Sequence, residues 1–327
     1  MNKTFPLISI VIPTLNEERN IKKCLEGVFN QDYPKDKLEV MIVDDKSTDD
    51  TVKIAEKYPV KILYSGAHHA EISKMIGFQK AQGEFFLYLD ADCQIVDKGF
   101  LSKLLEPMLV DAEIVGSFAK EGAARSGPPL ERYLSFDPLQ RDSIYQFFSP
   151  SIEDVIVGKK NGYYICEYKV GKIPPAGRCL YRKKELLNLV SDFKMFLELD
   201  FLVILTKNGF AKFAYVPNAG LLHHHAPSLS VLLKKRSHNL TKVYFVHVGN
   251  RLFTWFDLTK PRDLLKLISW ILFANLFIPS VLIGIYKSVK HKDWAGMYEP
   301  IVNLLVTDVL ILAFLKDIKK ANLLFKI

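Results

Sequence analysis

The sequence is poor in cysteine, and no pair of its cysteines has the spacing of a zinc site or a disulfide framework. The 327 residues contain four, Cys24, Cys93, Cys166 and Cys179. A chain of this length can bury a core without cross-links. Proline and glycine, at 16 and 17 residues, are too few for a fibrous protein. These scarcities predict a globular, intracellular protein whose cysteines stay reduced.

Two glycine patterns that bind phosphate are missing as well. The chain has neither Gly-x-Gly-x-x-Gly nor Gly-x-x-x-x-Gly-Lys-Ser/Thr, so cations would have to hold any bound phosphate. Cations are in excess, since 44 Lys and Arg against 36 Asp and Glu give a net charge of +8 at pH 7. This excess predicts a polyanionic partner, which leaves open a nucleic acid, an anionic membrane or a phosphate-rich substrate.

The first 120 residues alternate between short apolar runs and amphipathic segments. The runs are nearly free of polar positions, which is typical of strands in a parallel sheet that is covered on both faces. Helical periodicity and capping residues separate them. Repeated β–α units predict a doubly wound α/β fold, in which ligands bind at the carboxyl ends of the strands. The predicted strands are 7–12, 38–43, 60–64, 85–89 and 113–118.

Acidic residues follow three of these strands. Glu17 and Glu18 come after the first strand, the segment 44–50 is acid-rich, and Asp90 and Asp92 directly follow the fourth. Carboxylates crowded at one sheet edge need a compensating cation. Asp90 and Asp92 therefore predict a divalent metal, Mg²⁺ or Mn²⁺, that takes its remaining ligands from water and substrate phosphates. A solvent-exposed acidic loop is the alternative.

The last 60 residues are much more apolar. Residues 267–286 carry no formal charge and would span about 30 Å as a helix, and a second run, 301–315, contains Asp308. Two such runs with basic flanks predict a membrane hairpin, with buried core helices as the alternative. Seven flanking Lys and Arg against three in the connecting loop predict that both ends face the cytoplasm.

Before the hairpin, segment 229–244 predicts a basic amphipathic helix on an anionic leaflet, or a packed helix with a solvated face.

Three motifs resemble the family-2 inverting glycosyltransferases of the GT-A fold. They are ISIVIPTLNEE at residues 8–18, IVDDKSTDDT at 42–51 and YLDADCQ at 88–94, and the likeness covers about residues 5–225. The resemblance implies that Asp90 and Asp92 hold Mg²⁺ or Mn²⁺ on the diphosphate of a nucleotide-sugar donor. Gln94 matches the Asp-Ala-Asp-x-Gln of dolichol-phosphate mannose synthases, which implies a place beside the metal. The resemblance also implies donor-binding residues: Pro13, Thr14 and Glu17 along the nucleotide, Asp45 on the base, and Lys74 and Asp90 near the sugar diphosphate.

The same resemblance extends to an acceptor side. IPPAGRCLYRKKELL at 173–187 is similar to the family's acceptor loop, with Gly177 and Arg178 at its turn. Counting back from Gly209, the position of the catalytic base holds Glu198, and the next acid is Asp200. The alternative is that both acids merely favour the start of a helix. One of the three histidines at 223–225 is expected near the donor phosphates.

These features predict a membrane-anchored inverting glycosyltransferase that transfers a sugar to a hydroxyl of a lipid-linked or surface-glycan acceptor, as in the synthesis of cell-envelope glycans. A polyprenyl-phosphate glycosyltransferase and a non-enzymatic basic membrane-associated protein are the alternatives. Nucleic acid is not expected as a partner, because the basic residues concentrate beside the apolar runs.

The predicted location is the cell membrane, with the catalytic domain on its cytoplasmic side. The predicted domains are 1–225 (GT-A fold), 226–263 (amphipathic helix and linker) and 264–327 (two transmembrane helices with a basic tail).

Overall fold

The structure is a computed structural model that describes residues 5–175, 177–244, 251–255, 257 and 260–316. The chain forms two compact units. The first unit contains Met1–Glu121 and Ile152–His223, and the second contains Gly122–Ser151 and His224–Ile327. The domain boundaries at residues 225 and 263 stay a prediction, and compactness groups segment 122–151 with the C-terminal segment.

The first unit is built on a mixed sheet. Its strands are β1 (Ile8–Thr14), β2 (Leu38–Asp44), β3 (Lys61–Tyr64), β4 (Phe85–Tyr88), β5 (Cys93–Ile95), β6 (Ile114–Gly122), β7 (Ile156–Lys160), β8 (Tyr163–Glu167), β9 (Leu180–Arg182) and β10 (Lys212–His223). The described residues place them in the order β3-β2-β1-β4-β9-β6-β10-β8-β7, with β5 paired to β10. Thus the predicted α/β class is confirmed.

The first four strands pair in parallel. β1 pairs in parallel with β2 and β4, and β2 with β3. β9 runs antiparallel to both of its neighbours, β4 and β6, and Leu87 of β4 lies opposite Leu180 of β9. The reason is local: β9 starts two residues after Arg178, beside the carboxyl end of β4, so it has to run back along that strand. Four of the five predicted strands thus pair in parallel, whereas the fifth, predicted at 113–118 and observed as β6, pairs antiparallel with β9.

Helices cover the sheet in the first unit. They are α1 (Ile21–Phe29), α2 (Thr51–Ala55), α3 (Ala70–Lys80), α4 (Phe100–Val110), α7 (Lys183–Val190) and α8 (Glu198–Lys207). Every residue of β1 is buried, as expected for a strand with helices on both faces. Helix α3 approaches β1 closely at Gly77, where a Cβ atom would lie 2.3 Å from Cγ1 of Val11. Glycine is therefore required for this packing distance, which positions the helix that carries Lys74.

The second unit is helical. It contains α5 (Pro129–Leu134), α6 (Ser143–Phe148), α9 (Leu229–His238), α10 (Pro261–Asn275), α11 (Ile278–His291) and α12 (Tyr298–Lys316). A π-helical turn, Asn239–Tyr244, follows α9. Leu130 and Leu134 of α5 pack with Leu232 of α9 and with Val302 and Val306 of α12 in one apolar cluster. The amphipathic segment thus buries its apolar side against protein, as the packed-helix alternative expects.

The first predicted membrane helix is broken. Instead of one helix over residues 267–286, α10 ends at Asn275 and α11 begins at Ile278, and the two axes are bent by 80°. Phe277 between them has a left-handed φ of 55°. The cause is Pro279, which has no N–H for a helical hydrogen bond and is accepted in the first turn of a new helix. The prediction of a single continuous helix here is wrong.

The second predicted run is a continuous helix. Among the described residues, the helix over Trp294–Lys316 is long and apolar enough to cross a membrane, with 23 residues and a mean hydropathy of 1.7. Asp308 lies within it and is partly buried. Part of this helix packs against protein through Val302 and Val306.

Candidate active site

Asp90 lies beyond the end of β4 between two cations. Its Oδ2 accepts a hydrogen bond of 2.6 Å from the guanidinium of Arg178, and its Oδ1 is 3.3 Å from Nζ of Lys74. Burial acts to raise the pKa of Asp90, but the charges of Lys74 and Arg178 hold it far below its ordinary value. Asp90 is therefore a permanently ionised carboxylate whose oxygens face two cations.

Arg178 connects Asp90 to a second acid, Glu121. Its Nη1 donates to Oε1 of Glu121 over 2.6 Å, and Oε2 of Glu121 lies 3.0 Å from Nδ1 of His223. Glu121 is only 2% exposed. Although burial raises its pKa, the neighbouring Arg178 and His223 lower it below the ordinary value. Glu121 thus fixes two side chains that face the end of β4.

His223 ends β10 and brings Asp92 into the same group. Its Nε2 is 3.4 Å from Oδ1 of Asp92, and β5 pairs with β10 so that Cys93 lies opposite His223. Asp92, Cys93 and His223 each place one ligand atom within 4.8 Å of the others. Burial raises the pKa of the Cys93 thiol well above its ordinary value, so the sulfur stays protonated. The remaining oxygen and nitrogen donors suit Mn²⁺ or Mg²⁺.

Glu198 begins α8 beside this group. The hydroxyl of Tyr88 donates to its Oε2, and the hydroxyl of Tyr181 donates to its Oε1 over 2.8 Å. Burial raises the pKa of Glu198 to about 7, against the opposing effect of the two hydroxyl donors. A carboxylate with a pKa near the operating pH suits a general base. A Cβ at Gly177 would lie 3.9 Å from Oε2 of Glu198, so the loop backbone closes over this carboxylate.

We call this group the strand-end cluster. It contains four acids and two permanent cations, so a divalent ion can add the positive charge that neighbouring carboxylates need. Burial and Arg178 act to lower the pKa of His223, but Asp92 and Glu121 raise it above its ordinary value. The members of the cluster are Lys74, Tyr88, Asp90, Asp92, Glu121, Arg178, Tyr181, Glu198 and His223.

A second polar group lies at the ends of β1 and β2. The Thr14 hydroxyl donates to Oδ1 of Asp44 over 2.9 Å. The neighbouring Asp45 accepts hydrogen bonds from the Ser65 hydroxyl, at 2.8 Å, and from the backbone N–H of His68, at 2.9 Å. Burial acts to raise the pKa of Asp45, but these donors lower it below its ordinary value. The group therefore holds an ionised carboxylate in a fixed position.

The predicted residues fall into these two groups with few exceptions. Pro13 and Thr14 end β1, and Glu17 follows, with its N–H bonded to the Thr51 hydroxyl over 2.7 Å. Gln94 lies in β5 opposite Leu222, and because successive side chains of a strand alternate, it points away from Cys93. Asp200 is buried two residues beyond Glu198 in α8. The roles predicted for all of these residues stay predictions.

Sequence reasoning missed Tyr88, Glu121 and Tyr181. Tyr88 and Tyr181 lie in strands whose apolar neighbours carry no functional signal. The one available signal was Glu121, an acid shortly after a predicted strand, as Asp90 is. His223 was included among the three histidines, and the structure selects it as the member of the cluster.

The mixed α/β sheet with an Asp-x-Asp pair after a central strand is the arrangement of the GT-A nucleotide-sugar transferases. Residues 9–161 match the family model described as Glycosyl transferase family 2. These residues, just under half of the chain, are thus a Glycosyl transferase family 2 domain, and the resemblance seen in the sequence is confirmed.

Individual proteins are similar over different lengths. Glycosyltransferase AglE of Haloferax volcanii is 31% identical over 146 residues, which are 43% of this chain and 48% of that protein. The chain thus spans about half the length of this relative. The dolichyl N-acetyl-alpha-D-glucosaminyl phosphate 3-beta-D-2,3-diacetamido-2,3-dideoxy-beta-D-glucuronosyltransferase of Methanococcus voltae is 25% identical over 338 residues, covering 98% of this chain and 99% of that protein.

A solved structure supports the fold. Glucosyl-3-phosphoglycerate synthase of Mycobacterium tuberculosis, in complex with phosphoglyceric acid, superimposes with a TM-score of 0.50. The two sequences are 17% identical, and the match covers 76% of this chain and 81% of that one. This likeness concerns the fold alone.

Proposed function

We propose that the protein is a membrane-associated inverting glycosyltransferase that transfers a sugar from a nucleoside-diphosphate donor to a hydroxyl of a lipid-linked acceptor. The observation that carries this proposal is Glu198. Its pKa of about 7, its two tyrosine donors and its place beside Arg178 and Asp90 suit a general base in front of a phosphate-binding site.

Glu198 would take the proton of the acceptor hydroxyl. The acceptor oxygen then forms a bond to the anomeric carbon, and the bond from that carbon to the nucleoside diphosphate breaks, which inverts the configuration. The Tyr88 and Tyr181 hydroxyls orient the carboxylate, so that little motion is needed when the proton moves. We assign the base to Glu198 and not to Asp200, because Glu198 belongs to the strand-end cluster.

The leaving diphosphate would meet the positive side of the cluster. Lys74 and Arg178 both face Asp90 and offer charge to phosphate oxygens. Mg²⁺ or Mn²⁺, held by Asp90, Asp92 and His223, with Gln94 as the further predicted ligand, would supply additional neutralisation of the departing group. Glu121 would orient His223 for this role through its contact with Nδ1.

The nucleotide would lie along the ends of β1 and β2. Pro13, Thr14 and Glu17 would line it, and Asp45 would bind the base. The hydrogen bonds from Ser65 and His68 hold the Asp45 carboxylate in place, so recognition of the base would not require this residue to be ordered first.

Two observations favour a hydroxyl acceptor over a polyprenyl phosphate. A phosphate acceptor is already ionised at neutral pH and needs no base, whereas Glu198 is tuned for proton transfer. The Methanococcus voltae relative, which matches along nearly the whole chain, is named for transfer to a dolichyl N-acetylglucosaminyl phosphate. This name supports a sugar hydroxyl on a lipid-linked acceptor for this chain as well.

The experiment measures donor turnover by the detergent-purified protein with UDP-, GDP- and dTDP-sugars, with and without EDTA. We expect metal-dependent turnover that is stimulated by a polyprenyl-phosphate-linked sugar more than by polyprenyl phosphate. Glu198→Gln should lower this transfer by roughly a thousandfold. Glu185→Gln, an acid in the first turn of α7, is the matched control and should be unchanged. Turnover of a polyprenyl phosphate by Glu198→Gln at the wild-type rate would favour the alternative acceptor.

A further inference from the structure

The pair α10–α11 has an apolar elbow and basic ends. Leu272, Leu276, Phe277, Ile278 and Leu282 are all exposed around the bend. The basic residues lie away from it: Lys260, Arg262 and Lys266 at the start of α10, and Lys287, Lys290 and Lys292 at or beyond the end of α11. Exposed apolar surface between two groups of basic residues matches a bilayer with anionic headgroups.

One lysine of α10 and one of α11 contact the same short helix. Nζ of Lys266 lies 5.1 Å from the ring centroid of Phe147, and Nζ of Lys287 donates to the Ser143 hydroxyl over 2.8 Å. Ser143 and Phe147 belong to α6, where four residues span about 6 Å. A hydrocarbon core of about 30 Å does not fit between two lysine side chains that both contact this one helical turn. The contacts therefore place Lys266 and Lys287 on the same side of a membrane.

We propose that α10 and α11 enter one leaflet of an anionic membrane and return to the side from which they came, so that the pair does not cross the bilayer. The helices have 15 and 14 residues, or about 22 and 21 Å. With the 80° bend set symmetrically about the membrane normal, the elbow reaches a depth of about 14 Å, which is half of the hydrocarbon core.

The elbow can enter hydrocarbon because its backbone is largely paired. The N–H of Leu276 donates to the carbonyl of Leu272 over 3.0 Å, and the N–H of Ile278 donates to the carbonyl of Leu276 over 2.5 Å. The next residue, Pro279, has no N–H to satisfy. Unpaired backbone groups are what normally keeps an irregular segment out of the bilayer.

This arrangement also removes a difficulty in the predicted hairpin. That hairpin needs Lys287, Lys290 and Lys292 on the outer face, against the usual distribution of basic residues. In the re-entrant arrangement these three lysines lie on the same face as Lys260, Arg262 and Lys266. Nζ of Lys287 is 2.6 Å from Oε2 of Glu299 and is neutralised by it, so the other five supply the attraction by one anionic leaflet.

The first test measures the side from which each end is accessible. Arg262→Cys and Lys290→Cys, both at exposed positions, are introduced separately into the full chain and labelled with a membrane-impermeant maleimide in sealed vesicles of one orientation. The four native cysteines are buried, so the unmodified chain is the background control. We expect both positions to be labelled from the same side. Labelling from opposite sides would overturn the proposal.

The second test measures insertion of the elbow. Ile278→Asp and Val110→Asp alter side chains that are both 71% exposed, one at the elbow and one in the first unit. Binding is measured to vesicles of phosphatidylcholine with about a quarter phosphatidylglycerol, and Ile278→Asp should weaken it by more than about tenfold. Val110→Asp should bind as the unmodified chain does. Equal binding by both variants would contradict insertion, and since neither test measures sugar transfer, either result leaves the proposed reaction to its own experiment.

Discussion

Glu198 shows how one residue can be tuned by its neighbours. The pKa of an exposed glutamate lies far below 7, but burial raises the pKa of Glu198 to about 7. Keeping it ionised therefore costs the folded protein roughly 3 kcal/mol relative to an exposed carboxylate. Such a cost is typical of groups that have a chemical task. The hydroxyls of Tyr88 and Tyr181 offset part of it.

The pKa of Glu198 predicts the pH dependence of sugar transfer. A base has to be ionised, so kcat/KM should fall as the pH drops through about 7 and level off above it. The Tyr181 hydroxyl stabilises the ionised carboxylate, so Tyr181→Phe should raise the pKa and move the midpoint to higher pH. The measurement is the pH profile of kcat/KM for a hydroxyl acceptor. Tyr58→Phe, away from the cluster, is the control, and a midpoint that moves to lower pH in Tyr181→Phe would refute the assignment.

The sequence predicts the members of the cluster that have local signals. Asp90 and Asp92 end a buried strand, and Glu198 lies at a family position. Glu121 and Tyr181 belong to strands whose pairing brings them to the cluster from distant parts of the chain. No periodicity or composition encodes such a meeting, because it depends on the order of the strands in the sheet.

At the scale of elements, the close contact between α3 and β1 sets the position of Lys74. Gly77 lies one helical turn after Lys74 and directly over Val11. Any side chain at this position would push the helix away from the strand, and the cation with it. The helix therefore both covers the sheet and positions Lys74, which we propose to bind the donor.

Gly77→Ala should destabilise the protein by about 1–3 kcal/mol, since the added methyl overpacks the interface with β1. The measurement is the midpoint of thermal unfolding. Gly158→Ala in β7 is the control, because a Cβ there would be 3.6 Å from its nearest neighbour, and its effect should stay within about 0.5 kcal/mol. Equal midpoints for the two variants would show that α3 can shift without cost.

Sequence patterns predict the buried strands better than they predict the C-terminal helices. The strand predicted at 85–89 is observed at Phe85–Tyr88, and the one at 38–43 at Leu38–Asp44, because burial on both faces demands uninterrupted apolar runs. Hydropathy fails at residues 267–286 for a physical reason. It sums transfer free energies and ignores backbone geometry, so it passes over Pro279, where the helix breaks.

At the scale of the whole molecule, the net charge of +8 should strengthen binding to an anionic membrane. We expect binding to vesicles that contain phosphatidylglycerol to weaken as salt is raised from about 0.1 M to about 1 M, because the Debye length falls from about 10 Å to about 3 Å. Vesicle flotation measures this. Binding to pure phosphatidylcholine should change little over the same range. A salt-independent affinity for the anionic vesicles would mean that the basic ends do not meet the headgroups.

The division of the chain has a practical outcome for protein engineering. The polypeptide passes between its two units three times, since residues 122–151 are grouped with the C-terminal segment. Truncating the chain after residue 225 to obtain a soluble enzyme would remove packing partners of Leu130 and Leu134. The partners that would be lost are Leu232, Val302 and Val306. In the truncated protein the apolar side chains of segment 122–151 would be exposed to solvent, and we expect the protein to aggregate. A soluble version calls for excising both stretches and bridging the gap between residues 121 and 152.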